Sequence, residues 1–173
     1  PGLEVENMTP RNAQRALYSD ILNLSIAQKE YEQVSGVLNK VAKTYQVREM
    51  LQKVLENHRE KESLIGKICV AEGVTDYFEY LMDMTPKALS QVLIEGLPAR
   101  INTLTAFLND DYYALLPLYN FYFTRDASVS IGNKALICRM ASKVRMRESL
   151  ITEAIFRSGI FFECELVNAH DFQ

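Results

Sequence analysis

The sequence predicts an all-α fold, a right-handed stack of about four antiparallel helical hairpins. Apolar residues recur at helical spacing along most of the 173 residues. Helix-start signals recur about every 38 residues, in the range of two-helix repeats that stack into solenoids. Met8-Thr9-Pro10 and Met84-Thr85-Pro86 lie two such periods apart. An irregular helical bundle is the alternative fold.

The first unit begins with a strong helix-start signal. The Thr9 side chain can accept a hydrogen bond from a free N–H of the first turn, and Pro10 has a φ that suits the first helical position. Apolar residues then form one helical face over residues 17–24 and another over residues 31–45. This pattern predicts two antiparallel helices with a turn at residues 27–29. Because neither Gly nor Pro marks that turn, a single long helix is the alternative.

The later units follow the same two-helix pattern. Thr85 starts a helix as Thr9 does, residues 112–123 predict a helix rich in aromatic side chains, and residues 128–133 predict a loop. Residues 134–158 predict the last helix, and Gly159 is expected to end it. The units are residues 9–46, 47–84, 85–123 and 124–160, followed by a tail at 160–173, all in one domain.

Composition limits the class of protein. A chain of 173 residues with 48% hydrophobic content can bury its own core, and its net charge of −3 disfavours purely electrostatic binding to nucleic acid or anionic membranes. The longest apolar stretch is far shorter than the roughly 20 residues that span a bilayer, so we expect no membrane insertion. Three cysteines without CxxC spacing indicate reduced thiols and a protein that is not secreted. The opening Pro1-Gly2 indicates either that a targeting segment has been cleaved or that the chain has been trimmed.

Motifs for catalysis or cofactor binding are not evident. The sequence has no glycine-rich phosphate loop and no GxSxG motif, and two histidines, His58 and His170, cannot build a histidine-rich metal site. Cys164 and His170 can be imagined as a thiolate–imidazole pair, but the apolar neighbours of Cys164 favour a buried thiol. We therefore predict a protein that is not an enzyme and that holds no cofactor or metal.

An acidic stripe is the first of two charged patterns. Glu72, Asp76, Glu79 and Asp83 would share one face if a helix continued through Gly73. Such a face can bind a divalent cation, but no ExxH motif supports a metal cluster. A solvated face, or one that meets a basic partner, is favoured.

A basic stripe is the second pattern. Arg139, Lys143 and Arg147 recur at i, i+4 and i+8. They can meet phosphates, an acidic protein surface or the acidic stripe of the same chain. We favour a protein surface, because a nucleic-acid groove would require basic residues in every repeat.

Apolar and aromatic residues complete the predicted docking surface. Tyr119 and Tyr122 belong to the aromatic run, which either lies in the core or faces a partner, as tyrosines often do at interfaces. Ile160 and Phe162 lie in an unusually apolar tail. That tail either caps the last repeat or inserts into a partner as an extended segment.

Two resemblances suggest a function. Residues 17–22 resemble the start of a pentatricopeptide repeat, with a Tyr followed by an Ile/Leu pair, and residues 34–41 take the place of its second helix. The layout of residues 15–18, 32–38 and 54–58 is similar to the N-terminal helical domain of the oligomycin-sensitivity-conferring subunit of mitochondrial ATP synthase.

The chain most resembles the pentatricopeptide-like subunit associated with the ATP synthase catalytic head of kinetoplastids and euglenozoans. This resemblance implies a non-catalytic structural or assembly subunit that docks on the outside of a catalytic-head subunit in the mitochondrion. A cytoplasmic location is the alternative to the mitochondrial one. The alternative functions are a single-stranded RNA binder of the pentatricopeptide type and a generic helical adaptor or regulator.

Overall fold

The computed structural model describes residues 1–8, 18, 21–99 and 112–171. In the described ranges helices dominate up to Glu95, and after it strands flank the helix Met146–Arg157. The α-helices of the described ranges are α1 (Leu3–Glu6), α2 (Leu24–Leu38), α3 (Val47–Val54), α4 (His58–Glu72), α5 (Phe78–Met82), α6 (Pro86–Glu95) and α7 (Met146–Arg157). The strands are β1 (Leu97–Pro98), β2 (Tyr113–Leu115), β3 (Ser128–Ile131), β4 (Lys134–Ile137) and β5 (Glu165–Asn168). Short 3-10 turns lie at Thr75–Tyr77, Thr124–Asp126, Lys143–Arg145 and Ala169–Asp171.

Local sequence signals set several helix ends. The Thr85 hydroxyl accepts a hydrogen bond from the Ala88 N–H (3.3 Å), and Pro86 occupies the first turn, as the sequence predicts. α4 ends at Gly73, whose φ of 72° is left-handed. Gly159, with φ 65°, follows the end of α7 and confirms the predicted stop.

The strands form two small sheets. β1 and β2 pair antiparallel, with Leu97 opposite Leu115. β3 and β4 form an antiparallel hairpin around Gly132, whose φ is 61°. β5 pairs parallel to β4 on the other side, and α7 makes the crossover between them. β4 is therefore the central strand of the three-stranded sheet.

The main core lies between the helices and the β1–β2 sheet. Burial of its aliphatic side chains is the main stabilising force, at about 25 cal/mol per Å² of apolar surface. Its fully buried members include Leu51, Val54, Leu64, Ile65, Ile68, Leu81, Leu89, Leu93, Leu115 and Ile151. α7 contributes to this core from one side and contacts β4 and β5 on the other, so it connects the two parts of the fold.

The predicted all-α fold is wrong, both as a stack of helical hairpins and as an irregular helical bundle. The third unit, residues 85–123, contains α6 with β1 and β2, and the fourth, residues 124–160, contains the β3–β4 hairpin before α7. In β4 the side chains of Ala135 and Ile137 are buried and alternate with more exposed ones, which is the period of a strand. The short strands were missed because this alternation covers only four residues.

Three local predictions also fail in the structure. Residues 112–123 do not form a helix, since the chain is extended at β2 and Pro117 cannot donate a helical hydrogen bond. Residues 128–133 include β3 instead of a loop alone, and residues 134–158 become helical only near their middle.

The predicted turn at residues 27–29 is wrong as well, because α2 is continuous there and nothing in the sequence breaks it. None of the α2 residues is buried. The helix start predicted at Thr9 and Pro10 lies outside the described residues. Within the described ranges no helix is both long and apolar enough to cross a bilayer.

Candidate functional site

A charged cluster lies where the 3-10 turn before β3 meets the start of α7. Arg145 Nη1 donates to Asp126 Oδ2 at 2.8 Å. On its other edge, Arg145 Nε and Nη2 donate to the two carboxylate oxygens of Glu148 at 3.0 and 2.8 Å. The Glu148 side chain is 1% exposed, that of Arg145 13% and that of Asp126 44%. A guanidinium is thus anchored on a buried carboxylate and reaches an exposed one.

The fold brings these three side chains together across the sheet. Asp126 ends the 3-10 turn that leads into β3, and the β3–β4 hairpin returns the chain so that the Cys138 N–H donates to the Ala127 carbonyl at 3.0 Å. The first turn of α7 is fixed to the same place, since the Ser149 hydroxyl donates to the Cys138 carbonyl at 2.7 Å. Glu148 lies in that first turn, where the helix dipole favours a negative charge.

The charged groups in the cluster shift one another's pKa values. Hydrogen bonds to Glu148 raise the pKa of Arg145 above its ordinary value against the effect of burial, and Asp126 adds to the increase. Burial raises the pKa of Glu148, while Arg145 opposes that shift. With both carboxylates ionised, the three side chains carry a net charge of −1.

A pair of tyrosines lies beside the charged cluster. The Tyr18 hydroxyl donates to the Tyr122 hydroxyl at 2.6 Å and lies 3.2 Å from the Tyr119 carbonyl oxygen. Burial, and then the hydrogen bond with Tyr122, raise the pKa of Tyr18 far above its ordinary value, and the charges of Arg145 and Glu148 also act on it. Tyr18 therefore stays a neutral hydroxyl next to the cluster.

A second arginine in the same helical turn is completely enclosed. Arg147 is 1% exposed, and its Nε lies 2.7 Å from Glu72 Oε1. Its Nη1 donates to the Leu93 carbonyl at 3.1 Å and its Nη2 to the Leu116 carbonyl. Burial lowers the pKa of Arg147 and raises that of Glu72, and the opposite charge of each partner counteracts both shifts. This pair ties α4 and α6 to the start of α7.

The predicted basic stripe does not form one face. Arg139 and Lys143 are exposed, but they precede α7, and Arg147 points into the core. The contact of Arg147 with Glu72 matches the alternative in which the basic stripe meets the acidic stripe of the same chain. The acidic stripe is itself interrupted, since α4 ends at Gly73.

The other predicted docking residues are spread over the fold. Tyr119 is buried at 6% exposure and Tyr122 is half-buried beside Tyr18. Ile160 is 49% exposed, whereas Phe162 packs against Tyr45 and Phe156 at ring distances of 5.6 and 5.1 Å. A protein-binding role for these residues stays a prediction.

None of the three cluster residues is among the site residues that the sequence predicts. One signal was available, because Arg145 and Glu148 are three residues apart and opposite charges at that spacing pair on a helix. Nothing in the sequence links either residue to Asp126, which is 19 residues from Arg145.

Comparison with known proteins identifies the family of the chain. The family model for arginine deiminase matches residues 14–171. The arginine deiminase of Pediococcus pentosaceus is 34% identical over 169 residues, which cover 90% of this chain and 42% of the relative. The arginine deiminase of Bacillus cereus is 31% identical over 178 residues, which cover 94% of this chain and 43% of the relative. The arginine deiminase of Lactococcus lactis subsp. cremoris is 33% identical over 171 residues, which cover 90% of this chain and 42% of the relative. The chain thus spans about two fifths of the length of these curated relatives.

These matches correct the functional predictions. The resemblances to pentatricopeptide-repeat proteins and to subunits of mitochondrial ATP synthase are wrong, because they rested on apolar spacing that many helices share. The prediction of a non-catalytic docking subunit is wrong too, since the matching family is named for an enzyme. The matches give no support to an RNA binder or a helical adaptor. The mitochondrial location and the partner subunit stay untested predictions.

Proposed function

Because the chain belongs to the arginine deiminase family, we propose that it supplies part of the substrate site of an enzyme that hydrolyses arginine to citrulline. In that reaction water supplies the oxygen of the new C=O group on the guanidinium carbon, and one nitrogen leaves as ammonia. The substrate carries a cationic guanidinium at one end and a carboxylate at the α-carbon. A matching site needs an anion for the first group and a cation for the second.

The contact between Asp126 and Arg145 carries the proposal. In the described part of the chain, Asp126 Oδ2 accepts from Arg145 and Oδ1 has no hydrogen-bond partner. Arg145 uses three of its five N–H donors on Asp126 and Glu148. Both groups are partly accessible, and their charges are those that the two ends of arginine require.

Substrate binding is then an exchange of guanidinium groups. Asp126 already holds a guanidinium, that of Arg145, and the substrate offers the same group. When the substrate takes that place, one Arg145 N–H donor is released and becomes available to the substrate carboxylate. One ion pair is replaced by two, so Asp126 and Arg145 each keep a charged partner after the exchange.

The roles assigned to these residues concern binding and charge. Asp126 orients the guanidinium carbon for attack and stabilises the positive charge on its nitrogens. Arg145 fixes the opposite end of the substrate and so sets its position along the site. Orientation of this kind lowers the entropic part of an activation barrier.

The test is citrulline formation from arginine by the full-length protein that contains this chain. We expect Asp126→Asn to lower kcat/KM by about 100-fold or more, as loss of one charged group that stabilises a transition state typically does. Asp76→Asn is the matched control, because Asp76 is also exposed in a short 3-10 turn. The proposal fails if the wild-type protein forms no citrulline, or if the Asp126 and Asp76 variants are equally active.

A further inference from the structure

Glu148 is the buried member of the cluster and the one that does not face solvent. Its two oxygens accept from Nε and Nη2 of Arg145, a bidentate arrangement that fixes both the position and the plane of the guanidinium. The contact between Arg145 and Asp126 is a single hydrogen bond to an exposed side chain. The two carboxylates therefore hold Arg145 unequally.

We propose that Glu148 is a positioning residue, which keeps Arg145 oriented toward the carboxylate of arginine after Asp126 has exchanged Arg145 for the substrate. This inference rests on the proposed function. Glu148 occupies the Nε edge of the guanidinium, so the N–H donors that become available lie on the Nη1 side, next to Asp126.

The backbone around Glu148 is fixed from two directions. On one side the neighbouring Ser149 is hydrogen-bonded to the carbonyl of Cys138, at the end of β4. On the other side Arg147 is bound to the carbonyls of Leu93 and Leu116. A side chain attached to such a turn has little freedom, which is the condition for holding a second side chain in one orientation.

The charge of Glu148 also affects Asp126. Arg145 has one positive charge and two carboxylate neighbours. With Glu148 ionised, Arg145 is already paired, and the negative charge of Asp126 remains available for the substrate guanidinium. Without that charge Arg145 would bind Asp126 as its sole carboxylate and compete with the substrate for it.

The experiment compares two ligands in two variants. Arginine is the substrate, and 4-guanidinobutylamine, which is arginine without its carboxylate, is used as a competitive inhibitor. The variants are Glu148→Gln and Glu153→Gln. Glu153 is the matched control, because it lies in α7, is 8% exposed and is paired with Lys67 and Arg157, away from the cluster.

We expect Glu148→Gln to raise the KM for arginine by about tenfold or more, the effect of losing one charge-assisted contact. The inhibition constant of 4-guanidinobutylamine should rise by a smaller factor, since that ligand has no carboxylate for Arg145 to bind. Glu153→Gln should leave both constants as in the wild-type protein. A selective loss of this kind distinguishes a positioning role from a general disturbance of the fold.

Two results would overturn the inference while leaving the proposed function intact. One is an unchanged KM for arginine in Glu148→Gln. The other is an equal loss for both ligands, which would mean that Glu148 serves only the stability of the site. A wild-type protein that forms no citrulline overturns the proposed function itself, and the role of Glu148 with it.

Discussion

Replacing Arg147 by Met tests whether the buried ion pair stabilises the fold. Arg147 is among the largest fully buried side chains, and its guanidinium serves Glu72 and two backbone carbonyls from different elements. Met has a similar length and no charge, so it largely fills the space while removing all three polar contacts. Glu72, 20% exposed, is then left without its cation.

The expected loss of unfolding free energy in Arg147→Met follows from these contacts. Removing one partner of a buried ion pair costs about 3–5 kcal/mol, and the partial exposure of Glu72 favours the lower end of that range. The two carbonyls would each add about 1 kcal/mol if they stayed unsatisfied. Because the three contacts share one side chain they are not additive, and we expect a total loss of about 4 kcal/mol.

The assay is equilibrium unfolding in urea. With a slope of about 2 kcal/mol per molar urea, a loss of 4 kcal/mol moves the midpoint by about 2 M. Arg157→Met is the control, since Arg157 is 32% exposed. The loss of its ion pairs with Glu60 and Glu153 should lower the free energy of unfolding by at most about 1 kcal/mol. The double variant Arg147→Met, Glu72→Leu should recover part of the loss. Equal midpoints for Arg147→Met and Arg157→Met would refute the argument.

Two further outcomes are expected. Gly96→Ala should lower the free energy of unfolding by about 2 kcal/mol in a thermal melt, because the φ of Gly96 is 96° and an added Cβ would lie 2.9 Å from the Leu115 carbonyl oxygen. Gly73→Ala should lower it by only about 1 kcal/mol, because Gly73 has a φ of 72° but open space around the added Cβ. A larger loss of stability for Gly73→Ala than for Gly96→Ala would contradict this reasoning. The second outcome concerns pH, because burial raises the pKa of Glu148. The contribution of Glu148 to stability is therefore complete below the ordinary glutamate pKa of about 4.3 and is lost as the pH rises through the raised pKa. The stability of the wild-type protein minus that of Glu148→Gln should fall over this window, and a constant difference would contradict the shift.

Sequence patterns were most informative where one residue determines the local backbone. Thr85 with Pro86 started a helix, and Gly73 and Gly159 followed helix ends, since capping and left-handed φ values depend on few neighbours. The strands were missed for the opposite reason. A four-residue strand such as β4 is stabilised by β3 and β5 on either side of it, and those partners are not visible in its own residues.

The candidate site was harder to predict than the fold. Arg145 and Glu148 are close in sequence, but Asp126 reaches them only because the β3–β4 hairpin reverses the chain. The basic stripe was assigned to the surface because its spacing is helical. Spacing alone does not distinguish an arginine that faces solvent from a buried one such as Arg147, which binds the carboxylate of Glu72 and two backbone carbonyls.

The β3–β4 hairpin gives the molecule a convenient attachment point. Gly132 and its neighbours are exposed at the tip, and the Cβ position of Gly132 is open. Four-residue strands of about 3.4 Å per residue put that tip about 14 Å from the end of the hairpin nearest Asp126. A fluorophore or an immobilisation tag joined there would report on the protein while leaving the Asp126 end of the hairpin unobstructed.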